Sequence, residues 1–203
     1  MTDWESRYQT GDTPWEKGQA APPLVEVLEE LEADEWGCGP ILVPGCGFGH
    51  DVRLLAGMGL PVTGVDISES AVETARRYAP VGKETYELGD FLDPAWLGGR
   101  CFSAIWEHTC FCAINPAERG RYARSAAAAA ALPDGGLLAG VFFINPFDPG
   151  EDATGPPFGA TVGELDNWFA PWFDRVEGWV PYSSFAGREE REWVALFRKR
   201  PQA

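Results

Sequence analysis

The chain has 203 residues, of which 45% are hydrophobic and 23% are charged, so it can bury the core of one ordinary domain. Its net charge is −15 and its pI is near 4.4, which argues against a surface for nucleic acid or for anionic lipid, because both need clustered cations. No apolar run reaches the roughly 20 residues of a membrane helix and no signal-peptide pattern is present, so we expect a cytoplasmic protein that binds neither nucleic acid nor membrane.

The first 19 residues form an arm that is rich in tryptophan, glycine and charge and shows no regular period. Beyond the arm, hydrophobic periodicity and turn residues predict alternating helices and strands within a single domain, residues 1–203. The predicted helices cover residues 22–35, 48–56, 68–78, 118–132 and 163–173. The predicted strands cover residues 40–43, 61–65, 83–88, 102–106, 137–143, 175–182 and 191–198.

This alternation of strands and helices is typical of an α/β fold with a Rossmann-like, mostly parallel sheet and helices on both faces. The last two predicted strands are joined by a short connection, so they must pair antiparallel. The sequence therefore predicts a parallel sheet that ends in an antiparallel hairpin.

A glycine-rich loop joins the first predicted strand to the next helix in the segment ILVPGCGFGHDV. Gly45, Gly47 and Gly49 allow a sharp turn and a close approach of ligand to backbone, and the helix start behind them offers N–H groups to an anion. Asp66 ends the next strand, where an acid typically binds ribose hydroxyls. Asp90 and Phe91 follow the third strand and are predicted to hold an adenine by its amino group and by its face.

Two cofactor classes compete for this loop. The dinucleotide fingerprint is G-x-G-x-x-G, but here its third glycine position is His50, and the observed order is G-x-G-x-G. This spacing suits a nucleoside with an amino acid tail, such as S-adenosylmethionine, better than a pyrophosphate. A nicotinamide-dependent oxidoreductase remains an alternative at this point, as does a nucleotide-binding module without catalysis.

Several segments together resemble the thiopurine, thiol and halide methyltransferases that use S-adenosylmethionine. They are TGDTPWEKG, VPGCGFGHDV, VTGVDISESAVETA, FCAINPAER and GPPF, and the resemblance runs from Trp4 to about Phe158. It implies a class I methyltransferase fold with a seven-stranded sheet. It also implies methyl transfer to a small thiol, hydrosulfide, halide or heterocyclic thiol; an oxygen, nitrogen or metalloid acceptor is the alternative.

The resemblance assigns cofactor-binding residues along the chain. The arm aromatics match rings that contact the cofactor in the family, although the family's plant-like members have tryptophan where Tyr8 stands. Ring faces attract a sulfonium, so the arm is predicted to be a lid; the alternative is that the rings only anchor a loose terminus. The predicted cofactor-binding residues are Trp4, Tyr8, Trp15, Gly45, Gly47, Asp66, Ile67, Asp90, Phe91 and His108.

Glu107 and His108 are the predicted catalytic residues. They follow the fourth predicted strand, at the mouth where open α/β sheets bind ligands. The family has tyrosine or arginine where His108 stands, near cofactor and acceptor, and His108 is predicted to accept a proton or to clamp a ligand. The alternative is an ordinary hydrogen-bonded histidine. The resemblance also places Pro156–Phe158 in a loop beside the substrate, with Thr154 in place of a family glycine.

Methyl transfer from a sulfonium is an in-line displacement that needs no metal. The five cysteines show no disulfide or zinc spacing, and Cys110 and Cys112 lie in an apolar context, so we expect structural roles for them and no metal site. The predicted partner is a small-molecule methyl acceptor, and the predicted state is a monomer or a weak homo-oligomer.

Overall fold

The computed structural model describes residues 2–129, 135–148 and 155–201. Its strands are β1 (Ile41–Pro44), β2 (Pro61–Asp66), β3 (Lys83–Leu88), β4 (Ala104–His108), β5 (Leu137–Phe143), β6 (Phe173–Trp179) and β7 (Glu192–Lys199). Its α-helices are α1 (Trp4–Thr10), α2 (Pro22–Glu30), α3 (His50–Gly57), α4 (Glu69–Arg77), α5 (Pro94–Leu97), α6 (Arg119–Ala129) and α7 (Val162–Phe169). Short 3-10 turns cover Ala33–Trp36, Phe111–Ala113 and Pro116–Glu118.

The seven strands form one sheet in the order β3-β2-β1-β4-β5-β7-β6. Strands β1 to β5 pair in parallel, whereas β7 pairs antiparallel with β5 and with β6. The prediction of a mostly parallel sheet with a C-terminal antiparallel hairpin is confirmed. Because the strands before the hairpin point the same way, their carboxyl ends share one edge of the sheet.

Alternate residues of β5 separate the two apolar layers of the core. Leu138 and Phe142 pack on one face with the residues of α6 and α7, including Phe169. Leu137, Ala139 and Val141 pack on the other face with residues of α2 and α3. Helices therefore cover both faces of the sheet, as predicted.

The arm contains a helix that its sequence pattern did not predict. The Asp3 carboxylate accepts a hydrogen bond from the backbone N–H of Ser6 at the start of α1, and Gly11 ends the helix with a φ of 73°. No residue of α1 is fully buried, so the helix has no apolar stripe for periodicity to detect.

Several other predicted elements have different ends; for example, strand β6 covers Phe173–Trp179 instead of residues 175–182. Helix α2 stops at Glu30 because Leu31 is extended, and helix α7 stops at Phe169 so that Phe173 can begin β6. Strand β4 begins two residues later than predicted and continues through His108. The predicted end of helix 118–132 lies outside the described residues.

Candidate active site

Backbone geometry makes the loop between β1 and α3 a tight cradle. Gly45 and Gly47 have φ values of 59° and 51°, in the left-handed region that favours glycine. A Cβ at Gly45 would lie 2.9 Å from the Cβ of Cys110, and a Cβ at Gly47 would lie 3.0 Å from the hydroxyl of Tyr8. Residues from the arm and from the segment after β4 therefore close around this loop.

Asp66 lies at the carboxyl end of β2, directly beside the glycine loop. Its carboxylate accepts hydrogen bonds of 2.9 Å from the backbone N–H groups of Gly47 and Ser68, and the residue is 6% exposed. Burial raises the pKa of Asp66 above its usual range, although the two N–H groups act in the opposite direction. The glycine loop and Asp66 are thus held together by a direct hydrogen bond.

The three arm aromatics form one cluster, and Tyr8 is the member that reaches the glycine loop. Tyr8 packs against Phe48 with 5.4 Å between ring centroids, and its hydroxyl accepts a hydrogen bond of 3.2 Å from Trp15 Nε1. Trp4 contacts Trp15 edge to face. The guanidinium of Arg7 lies 4.4 Å from the centroid of Trp15, so a cation of the chain itself already covers one face of that ring.

Two glutamates fasten the arm to the starts of two helices. Glu5 accepts hydrogen bonds from the Ser68 hydroxyl at 2.6 Å and from both the hydroxyl and the backbone N–H of Ser70. These bonds, with that from Ser68 the largest contribution, lower the pKa of Glu5 to about 2. Glu16 pairs with His50 Nε2 at 2.9 Å, in the first turn of α3. The arm is therefore bound at two places near the carboxyl edge of the sheet, beside Asp66 and beside the glycine loop.

The residues predicted to hold adenine have unequal surroundings. Asp90 accepts a hydrogen bond of 2.8 Å from the backbone N–H of Leu92, and the side chain of Ile67 is 52% exposed beside Asp66. Phe91, by contrast, is 5% exposed and packs in the core with its ring centroid 5.1 Å from that of Tyr122. Its ring offers no open face, so the geometry does not support the predicted stacking of adenine on Phe91.

Glu107 and His108 point to opposite sides of the sheet, because β4 continues through both and side chains alternate along a strand. Glu107 is 1% exposed and accepts hydrogen bonds from the backbone N–H of Phe111 and from the hydroxyl of Tyr122. Burial raises its pKa to about 7. These contacts favour a structural role for Glu107 over the predicted catalytic one.

His108 lies on the other side of β4, beside the first turn of α3. Its Nδ1 is 3.0 Å from Asp51 Oδ2, its ring stacks on Phe185 with an interplanar angle of 27°, and its Nε2 is 3.5 Å from Arg188 Nη1. The histidine thus stands between a carboxylate and a guanidinium. Both of these partners come from distant parts of the chain.

The thiols near the loop are poor nucleophiles. Burial raises the pKa of the Cys112 thiol to about 12 and that of Cys110 well above its usual range. The geometry agrees with the structural roles predicted for both. Within the described ranges, no three side chains of histidine, cysteine, aspartate or glutamate gather into a metal-binding group.

A cavity of about 350 Å³ opens beyond the carboxyl end of β5. Its walls are mostly apolar and come from Pro116, Ile144, Asn145, Pro146, Phe147, Phe158 and Gly159. Phe158, in the loop that the resemblance placed beside the substrate, is held by a backbone hydrogen bond of 2.7 Å to Cys112 and by Arg119. The predicted departure at Thr154 lies outside the described residues.

Comparison with known proteins identifies the family of this chain. The model of the thiopurine S-methyltransferase family matches residues 1–193. The chain belongs to this family. It is therefore an S-adenosylmethionine-dependent methyltransferase with the class I fold, and the expectations of family, fold and cofactor are confirmed.

Individual relatives cover nearly all of the chain. Thiocyanate methyltransferase 1 of Brassica oleracea is 34% identical over 97% of this chain and 84% of its own length. Thiopurine S-methyltransferase of Pseudomonas aeruginosa is 29% identical over 82% of this chain and 80% of its own. The structure of magnesium protoporphyrin IX methyltransferase from Synechocystis, with S-adenosylhomocysteine bound, covers 96% of this chain and 97% of that chain with a TM-score of 0.71 at 16% identity, which shows a shared fold.

The residues at the carboxyl edge fit the cofactor of the family. The glycine loop has positive φ values and no side chains at Gly45 and Gly47, and the start of α3 behind it has no side-chain cap, so N–H groups of its first turn can meet a carboxylate. Asp66 keeps acceptor capacity for hydroxyl groups beyond the two N–H groups that it binds. The arm can exclude water from above.

Three residues of this region were missed by the sequence analysis. Asp51 was interpreted only as part of a helix start, Arg188 as part of a loop and Glu5 as a charge in an irregular arm. Their partners are separated from them by 57, 80 and 63 residues, respectively, so no local pattern could have joined them. The one local signal for a functional residue was the position of Asp51, a carboxylate that follows the glycine loop almost directly.

Proposed function

We propose that this methyltransferase acts on a small soft acceptor: a thiol, hydrosulfide, heterocyclic thiol or halide. The names of its relatives, which include thiocyanate and thiopurine methyltransferases, support an acceptor of this chemistry. The observation that carries the proposal is a buried guanidinium beside His108, because a cation in that place favours an acceptor that arrives as, or becomes, an anion.

Arg188 provides this guanidinium. The residue is 9% exposed, and its guanidinium lies 4.8 Å from the ring centroid of Phe143 and 5.4 Å from that of Phe185. Its Nη1 lies 3.3 Å from Glu192 Oε1, so the charge is held in place by one carboxylate and two aromatic rings. Water screens this guanidinium poorly, although the Glu192 carboxylate offsets part of its charge.

The proposed cofactor contacts divide among three parts of the chain. The backbone at Gly45 and Gly47 would approach the amino acid tail, and Asp66 would bind the ribose hydroxyls. Ile67 and Asp90, with Phe91 packed below, would border the adenine. Tyr8 would cover the cofactor from the arm, with Trp4 and Trp15 bracing it. His108 would lie at the acceptor end.

When bound, S-adenosylmethionine supplies a methyl group attached to a positively charged sulfur. The chain aligns the acceptor with that group, keeps water out by closing the arm and, for a thiol, provides a proton acceptor at His108 Nε2. A thiol is mostly protonated at neutral pH, since its pKa is about 8.5, whereas a halide has no proton to lose. Methylation of a thiol would therefore use His108 as a proton acceptor, whereas methylation of a halide would not.

The test is turnover on a panel of acceptors. Purified protein and S-adenosylmethionine are incubated with iodide, hydrosulfide, thiocyanate, a small alkyl thiol or an aromatic thiol, and methylated products are measured in headspace gas and by mass spectrometry. We expect turnover with at least one sulfur or halide acceptor. Turnover only with oxygen, nitrogen or metalloid acceptors would refute the proposed acceptor class and would leave the methyltransferase assignment intact.

A further inference from the structure

Asp51 is a buried carboxylate on which three hydrogen-bond donors converge. Its Oδ1 accepts a hydrogen bond of 2.7 Å from the backbone N–H of Ala21, where the arm enters α2. Its Oδ2 accepts hydrogen bonds from Trp106 Nε1 at 2.7 Å and lies 3.0 Å from His108 Nδ1. Three donors fix the position of this carboxylate, which is 8% exposed.

The charge state of Asp51 follows from these contacts. Burial disfavours a carboxylate, but the charge and the hydrogen bond of His108, together with the other two donors, outweigh burial and hold the pKa of Asp51 below its usual range. Each oxygen of Asp51 also accepts a hydrogen from a group that can only donate, the backbone N–H of Ala21 or the indole N–H of Trp106, and these two bonds favour the ionised carboxylate when His108 is neutral as well. An ionised carboxylate can only accept hydrogen bonds, so the hydrogen that it shares with His108 must be on Nδ1.

This constraint determines which nitrogen of a neutral His108 has a free lone pair. With hydrogen on Nδ1, the lone pair is on Nε2, the nitrogen that faces Arg188 rather than the core. The distance of 3.5 Å from Nε2 to Arg188 Nη1 is at the outer limit of a hydrogen bond, so the lone pair is only weakly engaged. The ring also stacks on Phe185, with an interplanar angle of 27°.

We propose that Asp51 is a positioning residue for methyl transfer: it holds His108 in the tautomer whose Nε2 accepts the proton of a thiol. This inference rests on the proposed function. In the step, the S–H bond of the acceptor breaks and its proton moves to Nε2, while a sulfur lone pair forms the bond to the methyl carbon. The bond from that carbon to the cofactor sulfur breaks, its electron pair stays on that sulfur, and the imidazolium later releases the proton to water.

The charges that face His108 come from each element packed around it. Asp51 faces it from α3, and Arg188, paired with Glu192, faces it from the connection between β6 and β7. Glu107 precedes it on β4 and points to the other side of the sheet. The negative charge of Asp51 favours the imidazolium that the step forms, whereas Arg188 opposes it. Without Asp51, no carboxylate offsets the charge of Arg188 at the ring, and Nδ1 loses its hydrogen-bond acceptor.

The tautomer is measured directly by NMR on protein with ¹⁵N-labelled histidine. The chain has two histidines, so a His50→Gln variant assigns the signals of His108. Two-bond nitrogen–proton couplings, recorded at a pH where the ring is neutral, show which nitrogen carries hydrogen. We expect hydrogen on Nδ1 in the wild-type protein and a mixture of tautomers in Asp51→Asn. Hydrogen on Nε2 in the wild-type protein would overturn the inference, even if Asp51→Asn does not fold.

A kinetic comparison separates positioning from a merely structural role. We expect Asp51→Asn to lower kcat for a thiol by at least about tenfold, and to change kcat for iodide and the Kd of S-adenosylhomocysteine by less than about threefold. Asp174→Asn is the matched control, because its side chain is exposed and pairs with Arg200 at the far end of β6. An equal loss with thiol and with iodide would overturn the inference. If the wild-type protein binds S-adenosylhomocysteine but methylates no thiol, the proposed function fails while the tautomer measurement remains valid.

Discussion

At the scale of single residues, one step along β4 separates two chemically distinct environments. Glu107 is enclosed by the core layer of α6, whereas His108 lies between Asp51 and Arg188 on the opposite face. Their adjacency in sequence suggested a shared catalytic role. Because side chains alternate along the strand, Glu107 instead points into the core, whereas His108 lies beside the start of α3, next to the glycine loop.

His108→Ala should lower turnover on a thiol by about 10²-fold or more, because it removes the side chain proposed to accept the thiol proton. The affinity for S-adenosylhomocysteine should stay within about tenfold, since the glycine loop and Asp66 do not depend on the ring. Steady-state kinetics and calorimetric titration measure the two quantities.

The other histidine provides the matched comparison. His50 pairs with Glu16 of the arm, so His50→Ala should weaken cofactor binding and leave turnover at saturating cofactor nearly unchanged. Unchanged thiol turnover in His108→Ala would remove the role proposed for His108.

Glu107→Gln should change how stability depends on pH and leave activity nearly unchanged. The pKa of Glu107 is raised to about 7 in the folded protein, above the ordinary 4.5. Between these values the folded state binds more protons than the unfolded state. Stability from this group is therefore complete below about pH 4.5 and is lost as the pH rises through 7, by up to about 3 kcal/mol. Glutamine has no charge to bury; its amide oxygen can accept from the backbone N–H of Phe111, and its amide N–H can donate to the hydroxyl of Tyr122.

Urea unfolding of the wild-type protein and of Glu107→Gln at pH 5.5 and pH 8 tests this difference. The free energy of unfolding of the variant, relative to that of the wild type, should increase between the two pH values. Glu73→Gln, an exposed change on α4, should show no such trend. Parallel behaviour of Glu107→Gln and the wild type, or a large loss of turnover in Glu107→Gln, would contradict the structural role.

At the scale of elements, the arm behaves as a short helix fastened at its ends rather than as part of the core. Glu5 and Glu16 bind the starts of α4 and α3, the two helices that follow Asp66 and the glycine loop. The same two elements therefore border the proposed cofactor site and hold the arm that we propose to cover it. Docking of the arm and binding of the cofactor should reinforce each other.

Glu5→Ala should loosen the arm, because it removes three hydrogen bonds to Ser68 and Ser70. We expect faster trypsin cleavage after Arg7 and Lys17 and a rise of about tenfold in the Kd of S-adenosylhomocysteine. Since the pKa of Glu5 is lowered to about 2, both effects should be constant between pH 5 and pH 8.

Glu73→Ala is the control for this change. It removes the exposed carboxylate of Glu73, which belongs to α4 itself and pairs with Arg77 of the same helix rather than with the arm. Equal cleavage rates in Glu5→Ala and in the control would show that the serine contacts do not hold the arm.

Prediction from sequence succeeded where a feature is encoded locally. Strands 83–88 and 137–143 were predicted with their observed ends, and Ser68 was correctly identified as a helix cap. The arm helix was missed because tertiary hydrogen bonds hold it. The surroundings of Glu107 were missed because the predicted strand ended at residue 106. In the structure β4 continues through Glu107 and His108, so their side chains point to opposite faces of the sheet.

At the scale of the whole molecule, the proposed cofactor contacts extend from the arm to the end of β4 and involve the ends of four strands. In sequence they span residues 4–108, so a bound ligand would tie together elements that meet only in the folded state. A ligand that binds only the folded state stabilises it by an amount set by its concentration relative to its Kd. The cofactor product should therefore raise the unfolding temperature of the entire chain.

S-adenosylhomocysteine at about 100 times its Kd should stabilise the fold by about 2.7 kcal/mol. For a chain of this size, that corresponds to a rise of about 5–10 °C in Tm, measured by differential scanning calorimetry. Asp66→Asn should lose much of the shift, because the carboxylate proposed to bind ribose is neutralised and one of the two oxygens that accept from Gly47 and Ser68 becomes an amide nitrogen, which cannot accept. A shift with NADH in place of S-adenosylhomocysteine, or a full shift in Asp66→Asn, would contradict the assignment of the ribose site.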